Sequence, residues 1–143
     1  MADAVALACD HAGVALKQEL RAALERAGRS VVDLGTDGPD SVDYPDFADR
    51  MAEALAEGRA SLGVLLCGSG IGISIAANRH RHVRAALCHD ATTARLAREH
   101  NDANVLVLGS RVVGVQTALD CLEVFLATPF AGGRHARRVS KLA

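Results

Sequence analysis

The chain has 143 residues, a length that suits one domain built around one hydrophobic core. Half of the residues are hydrophobic but only 3% are aromatic, which favours a core of Ala, Val, Leu and Ile, as in a parallel sheet covered by helices. The formal net charge of -1 excludes binding to nucleic acid through overall charge. No apolar run reaches the roughly 18 residues of a membrane span, and acids stand where a secretory signal carries basic residues. We expect a cytoplasmic protein that binds neither nucleic acid nor a membrane.

Apolar runs alternate with helical patterns along the chain. The predicted strands are residues 4–9, 30–35, 62–67, 83–88 and 104–109. Helices are predicted over residues 13–28, near 46–58, from the glycines after the third strand to about Asn78, and over 91–100 and 114–128. This alternation predicts an α/β fold with a five-stranded parallel sheet and helices on both faces. Residues 1–143 form a single domain, of which about 129–143 is a basic C-terminal arm.

Ligands bind at the carboxyl ends of the strands in such sheets. Polar residues follow four of the predicted strands there. We expect them to meet at one edge of the sheet: Asp10 and His11, Cys67 to Gly72, His89 and Asp90, and Ser110 and Arg111.

The segment "CGSGIG" (67–72) joins a strand to a helix. It lacks the third glycine of a dinucleotide fingerprint, because Ile73 stands there, and no Lys-Ser or Lys-Thr follows as in a Walker loop. Its glycines let the backbone approach a ligand, and N–H groups at a helix start bind an anion or a developing oxyanion. The same helix start favours the thiolate of Cys67. On spacing alone, Cys67 is equally well explained as the last buried residue of its strand.

The other three cysteines show no chemical pattern. The chain has no CxxC pair and no spacing typical of a zinc site. Cys9, Cys88 and Cys121 lie in apolar or helical patterns, which favours reduced, buried thiols. We expect no metal.

Three further groups of polar residues each have two interpretations. Asp10 either contacts a ligand or caps the helix that follows it. His100 and Asn101 end a predicted helix, where a histidine can simply be a favourable cation. Arg134 and Arg138 are four residues apart and could grip one phosphate from a shared helix face, or belong to a solvated tail.

Five motifs together resemble one family. "CDHAG", "DYPDFA", "LLCGSGIGISIAAN", "HNDANVLVLGSRVVG" and "GGRHARRV" resemble the ribose-5-phosphate isomerase type B family, which includes the galactose-6-phosphate isomerase subunits. The resemblance covers essentially the whole chain. It implies a Rossmann-like three-layer α/β/α sandwich and a cofactor-independent interconversion of aldose and ketose phosphates. It also implies a homo-oligomer, a dimer or a tetramer, whose active sites are shared between subunits, with the arm packed on a neighbour.

The resemblance also implies roles for individual residues. Cys67 matches the catalytic base, Ser69 the hydroxyl that assists ring opening, and His100 the acid that protonates the ring oxygen. One subgroup of the family uses a glutamate base four residues after the hydroxyl residue; Ile73 stands there, so this chain resembles the cysteine type. The remaining matched residues contact the sugar (Asp10, His11, Tyr44, Asn101), cradle the enediolate with their backbone (Gly68, Ser69, Gly70, Ile71, Gly72) or bind the phosphate (Arg111, Arg134, Arg138).

The sequence therefore predicts an isomerase that interconverts D-ribose 5-phosphate and D-ribulose 5-phosphate through a cis-enediolate, without a cofactor. Asp10 and Ser69 assist ring opening by His100, and Cys67 moves the proton. Allose 6-phosphate, galactose 6-phosphate or erythrose 4-phosphate are alternative substrates. A non-catalytic sugar-phosphate sensor is a further alternative, but it would need no pairing of Cys67 with His100.

Overall fold

The computed structural model describes residues 4–143 as five strands and six α-helices. The strands are β1 (Val5–Cys9), β2 (Val31–Asp33), β3 (Leu62–Cys67), β4 (Ala85–Leu87) and β5 (Val105–Gly109). The helices are α1 (Val14–Arg26), α2 (Tyr44–Ala56), α3 (Ile71–Ala77), α4 (Ala91–Asn101), α5 (Val115–Ala127) and α6 (Arg134–Ser140). None of these helices has the length and apolarity needed to cross a membrane.

All five strands are parallel and form one sheet, as predicted, and the structure shows their order to be β2-β1-β3-β5-β4. Cys9 pairs with Leu66, and Cys67 pairs with Gly109. The three central strands therefore end at nearly the same level. Their last residues form a common carboxyl edge, onto which the polar residues that follow each strand emerge.

Helices cover both faces of the sheet and complete three layers. Successive side chains of a strand point to opposite faces, so Leu65 packs on one side of β3 and Leu66 on the other. The Leu66 side is covered by α1, α4 and α5, with Phe125 fully buried among them. The Leu65 side is covered by α2 and α3, through residues such as Met51 and Ile73. The predicted α/β/α sandwich is confirmed.

Element boundaries differ from the predictions by a few residues. A 3₁₀ turn (His11–Gly13) precedes α1, because the side chain of Asp10 caps it by accepting the N–H of Ala12 at 3.0 Å. α2 begins two residues early, at Tyr44, with Pro45 in its first turn, where its missing N–H is not needed. The edge strands β2 and β4 have only three residues each. The predicted C-terminal arm contains a helix of its own, α6.

A buried lysine ties α1 to the end of β2. Lys17 is fully buried, and its Nζ donates to Asp33 Oδ1 at 2.6 Å and to Asp37 Oδ1 at 2.7 Å. Arg21 donates to the other oxygen of Asp33 at 3.0 Å. Burial alone would lower the pKa of Lys17, but its hydrogen bonds to the two carboxylates raise it above the ordinary value. The network therefore remains charged, and the sequence analysis did not anticipate it.

Candidate active site

A cleft of about 540 Å³ opens at the carboxyl edge of the sheet. We call it the carboxyl-edge cleft; it is lined by Asp10, Tyr44, Cys67, Gly68, Ser69, Ile71, Gly72, Arg111 and Val112. The sequence analysis named all of these residues as site candidates except Val112. The structure thus brings together side chains that are up to about a hundred residues apart in the chain, because parallel strands deliver them to the same edge.

Cys67 is the last residue of β3 and is 4% exposed, at the wall of the cleft. Its Sγ accepts a hydrogen bond from the backbone N–H of Gly70 at 3.1 Å. A donor aimed at the sulfur stabilises the thiolate, which is the form that abstracts a proton. Burial raises the pKa of Cys9 and of Cys121 to about 11, and it also raises that of Cys88. These three cysteines are free, buried thiols, as predicted.

Glycines shape the turn that follows Cys67. Gly70 has a φ of +81°, and a Cβ there would lie 2.5 Å from Leu87 Cδ1 and 3.1 Å from the backbone nitrogen of Gly109. Only glycine fits this conformation and this space, and both are needed to turn the Gly70 N–H toward the sulfur. At Gly72, a Cβ would lie 2.5 Å from the ring of Tyr44, so the tyrosine closes against the turn.

Two polar residues follow β1 at the same edge of the sheet, and the first of them, Asp10, forms part of the cleft wall. Asp10 is 7% exposed and lines the cleft, although its Oδ1 also caps the 3₁₀ turn. The capping interpretation of Asp10 is confirmed, and it is compatible with contact to a ligand. His11 accepts the N–H of Val42 at Nδ1, at 3.2 Å, which in a neutral ring places the proton on Nε2. His11 thereby becomes a donor held beside the cleft.

A hydroxyl and a guanidinium lie next to the thiol. Ser69 Oγ accepts the N–H of Ile71 at 3.1 Å, which fixes the hydroxyl at the start of α3. Arg111 packs against the turn, because a Cβ at Gly68 would lie 3.2 Å from Arg111 Nη1. The backbone N–H of Arg111 donates to the Gly68 carbonyl at 2.9 Å. The cleft thus combines a thiol, a carboxylate, a hydroxyl and one fixed positive charge.

The remaining predicted site residues lie at the opposite edge of the sheet. α4 starts after β4 with Asp90, whose carboxylate accepts the Thr93 N–H at 2.7 Å, and it ends with His100 and Asn101 just before β5. The start of β5 pairs with Gly63, four residues or about 13 Å before Cys67 along the sheet. We call His100, Asn101, Arg134 and Arg138 the amino-edge cluster.

The arm brings its arginines to the same end of α4. Ala131 donates its N–H to the carbonyl of Glu99 at 3.0 Å. The ring of His135 stacks on that of His100, with centroids 4.3 Å apart and planes 15° apart. α6 follows directly, so Arg134 and Arg138 lie on the helix that is docked beside His100. One chain therefore holds two groups of predicted site residues that do not meet.

Sequence reasoning missed two residues of these groups. Val112 lines the cleft and is 58% exposed, and its only signal was its place two residues after Ser110 at the end of a strand. His135 lies between the arginines of "GGRHARR", and a search for charged residues alone does not select it. Its contact with His100 joins residues 35 apart in sequence, which no periodic pattern predicts.

Comparisons with known proteins agree with this geometry. The model of the Ribose/Galactose Isomerase family matches residues 5–142. Ribose-5-phosphate isomerase B of Escherichia coli is 44% identical over 138 residues, covering 96% of this chain and 93% of that protein. D-erythrulose-4-phosphate isomerase of Pectobacterium atrosepticum is 39% identical over 140 residues, covering 96% and 91%.

A solved structure extends the agreement to the fold. Ribose-5-phosphate isomerase B from Mycoplasma genitalium, crystallised with bound ribulose-5-phosphate, superposes with a TM-score of 0.93 at 41% identity, covering 97% of this chain and 93% of that one. The resemblance inferred from the five motifs and the Rossmann-like sandwich are both confirmed.

Proposed function

The chain belongs to the Ribose/Galactose Isomerase family, and we propose that it interconverts D-ribose 5-phosphate and D-ribulose 5-phosphate without a cofactor. The observation that carries the proposal is the Cys67 thiol at the cleft wall, held by the Gly70 N–H beside the Ser69 hydroxyl. A thiolate so placed suits abstraction of a proton from carbon. Relatives named as ribose-5-phosphate isomerases support the choice of sugar. Four free cysteines fit the reducing cytoplasm, and the reaction fits pentose phosphate metabolism.

The first step opens the sugar ring, because ribose 5-phosphate is mostly cyclic. His100 donates a proton to the ring oxygen. At the same time the anomeric hydroxyl loses its proton to Asp10, and the Ser69 hydroxyl hydrogen-bonds to the anomeric oxygen. The bond between C1 and the ring oxygen breaks, and C1 becomes a carbonyl. A general acid on one side of the bond and a general base on the other lower the activation barrier of this step.

The second step moves a proton from C2 to C1. The Cys67 thiolate takes the proton from C2, the electrons of that bond form a double bond to C1, and the C1 oxygen becomes negative. Backbone N–H groups of the turn 68–72 stabilise this enediolate. The thiol then returns the proton to C1 while the C2 hydroxyl loses its proton to the C1 oxygen, which gives the ketose.

The phosphate does not react, and the enzyme uses it to bind the substrate. Arg111 reaches it from the cleft, and Arg134 and Arg138 reach it from the arm, where forked donors match phosphate oxygens. This binding orients the carbon chain against Cys67. His11 and Asn101 contact the sugar hydroxyls between the two ends.

A second copy of the chain completes the site. Cys67 and His100 lie at opposite edges of one sheet, so a reaction that uses both needs His100 of the partner subunit. The rim of the cleft is suited to such contact because it carries exposed apolar side chains: Tyr44, Ile71, Ile75, Val112 and Val115. We infer a homodimer, or a tetramer built from two such dimers, in which the arm of each chain approaches the cleft of its neighbour.

Turnover of a sugar panel tests the proposal. Without added metal, we expect ribose 5-phosphate to be converted faster than allose 6-phosphate, galactose 6-phosphate and erythrose 4-phosphate. Cys67→Ala should lower kcat by about 10²- to 10⁴-fold and leave binding of a phosphate ligand intact. Cys88→Ala, a buried thiol outside the cleft, is the matched control and should keep its activity.

Three outcomes would contradict parts of the proposal. Faster conversion of another sugar phosphate would replace the substrate; the P. atrosepticum relative, named for erythrulose 4-phosphate, makes the tetrose the first alternative. Equal loss of activity in both cysteine variants would remove Cys67 as the base. Binding of every sugar phosphate without any turnover would make the protein a sensor.

A further inference from the structure

The ring of His100 is held by one of its faces rather than through its nitrogens. It stacks on the ring of His135, with centroids 4.3 Å apart and planes 15° apart. Within the described residues 4–143, neither nitrogen of the His100 ring has a hydrogen-bond partner. The stack therefore fixes the plane of the ring and leaves both nitrogens available to a substrate.

Other histidines of the chain are held in a different manner, through a ring nitrogen. Nδ1 of His11 accepts the Val42 N–H at 3.2 Å, and Nε2 of His80 lies 2.8 Å from Asp49 Oδ1. A nitrogen engaged in this way is not available to exchange a proton with a substrate. The face contact of His100 suits a general acid, because the N–H of such an acid must point at the atom that it protonates.

Two hydrogen bonds bring the C-terminal arm back to the end of α4. Arg98 Nε donates to the carbonyl of Thr128 at 3.1 Å, at the residue that follows α5. The Ala131 N–H donates to the Glu99 carbonyl at 3.0 Å. α6 follows this second contact, and His135 lies in its first turn. The arm is thus attached to α4 directly before the stacked pair, which fixes the position of the His135 ring.

The stack also suits the charge that a proton donor must carry. Desolvation, followed by the nearby His100, Arg134 and Arg138, lowers the pKa of His135 below its ordinary 6.5, and Glu99 opposes this only in part. The ring of His135 is therefore uncharged at neutral pH. An uncharged ring does not repel His100 when His100 holds the proton for ring opening, so the two rings can stay stacked during that step.

We propose that His135 is a positioning residue for ring opening: its ring holds that of His100 in the orientation that reaches the ring oxygen of the sugar phosphate. This inference rests on the proposed function. The role requires the flat face of the His135 ring and not a hydrogen-bond donor, which separates it from binding of the phosphate. Without the stack, His100 can rotate about its side-chain bonds, and a misplacement of about 1 Å can cost about 10²-fold in rate.

A double-mutant cycle on the turnover of ribose 5-phosphate tests this role. We would measure kcat and KM for the wild type, His135→Ala, His100→Asn and the variant that carries both substitutions. His135→Phe keeps a flat ring but has no nitrogen that could donate to a phosphate. Arg137→Gln changes an exposed residue of the same short helix and is the matched control. Size-exclusion chromatography and thermal unfolding check that each variant assembles and folds as the wild type does.

We expect His135→Ala to lower kcat by about 10-fold with little change in KM, because the acid is misplaced while the phosphate is still bound. His135→Phe should retain most of the activity, and Arg137→Gln should retain all of it. In the His100→Asn background, His135→Ala should lower kcat no further, because the group that it positions is already absent.

Three results would overturn the inference in an enzyme that converts ribose 5-phosphate. They are an unchanged kcat in His135→Ala, a full additional loss in the His100→Asn background, and a loss in His135→Phe as large as in His135→Ala. The last two would show that His135 acts through its nitrogens or on the fold. A wild type that does not convert ribose 5-phosphate would instead refute the proposed function, and the positioning role would fail with it.

Discussion

The carboxyl-edge cleft and the amino-edge cluster are built in opposite ways. The cleft stands on the ends of buried strands, and its turn is fixed by Gly70 and by the hydrogen bond to the Cys67 sulfur. The amino-edge cluster stands on the last turn of α4 and on a short helix in which no residue is buried. The cleft has the thiol but one arginine, whereas the cluster has a histidine and two arginines but no thiol.

This difference matches the different tasks of the two groups of residues in the proposed reaction. A base that must reach a carbon atom needs a rigid, shielded position, and the sheet edge provides it. In the proposed mechanism, the groups that bind the phosphate and protonate the ring oxygen close over the substrate, which suits an exposed helix end of the proposed partner subunit. For the proposed reaction, each group lacks residues that the other one has.

The largest effect is expected from a substitution in the amino-edge cluster. His100→Asn removes the proposed ring-opening acid and should lower kcat/KM on ribose 5-phosphate by about 10²- to 10⁴-fold, with little change in stability because the side chain is partly exposed. Steady-state kinetics checks this. His80→Asn, which alters a surface histidine paired with Asp49 at 2.8 Å, is the control. Equal losses in the two variants would remove the special role of His100.

The next effect weakens the buried network around Lys17. Lys17→Met leaves Asp33 with less compensation, and we expect a loss of about 3 kcal/mol in the free energy of unfolding, at the low end for a broken buried pair because Arg21 remains. Urea unfolding measures it. Lys141→Met changes the chain's other lysine, which is exposed, and should cost almost nothing. A similar small loss in both variants would show that the buried network does not stabilise the fold.

A third effect is the acid sensitivity of the same buried network. Burial by itself would raise the pKa of Asp33, but hydrogen bonds from Lys17 and Gly35 lower it below its ordinary 3.8. A carboxylate with a lowered folded-state pKa stabilises the fold above the unfolded-state pKa, and this stability disappears as the pH falls through the folded-state value. Urea unfolding between about pH 5 and pH 2 should therefore show a decline. Asp33→Asn should make the decline shallower, and Asp120→Asn should not.

The smallest effect concerns the helix that spans the two edges. Asp90 caps the start of α4 through the Thr93 N–H, so Asp90→Ala should cost about 1 kcal/mol of unfolding free energy. We expect kcat and KM to stay near wild type, because Asp90 lies outside the cleft lining and the amino-edge cluster. Parallel unfolding and kinetic measurements check both statements. A large loss of activity at unchanged stability would place Asp90 in the site.

The fold was predictable because its three central strands are buried on both faces. A segment such as "VLVLG" carries no polar residue, so its length and its apolar run suffice to assign β5. The Lys17 network was not predictable, because Lys17 looks like an ordinary polar residue of an amphipathic helix. Its partners lie 16 and 20 residues away, and only the folded chain shows that they surround it.

The candidate site was predictable in its parts and not in its arrangement. The rule that ligands bind at carboxyl ends selected Asp10, Cys67 and Arg111 from strand positions alone, and all three line the cleft. Roles for His100 and Arg134 came from the family resemblance. That these two lie at the other edge follows from the direction of α4, but the surface proposed to contact a second copy depends on side chains such as Ile75 that carry no motif.

A subunit-mixing experiment tests the central claim most directly. Inactive Cys67→Ala and His100→Asn chains are co-refolded in equal amounts, and turnover of ribose 5-phosphate is measured. In a shared-site dimer, each mixed pair holds one site with both native residues, so activity should return to about a quarter of the wild-type value. If Cys67 and His100 acted within one chain, no mixture would contain a complete site. Absence of recovery in a mixture shown to contain mixed dimers would contradict the account.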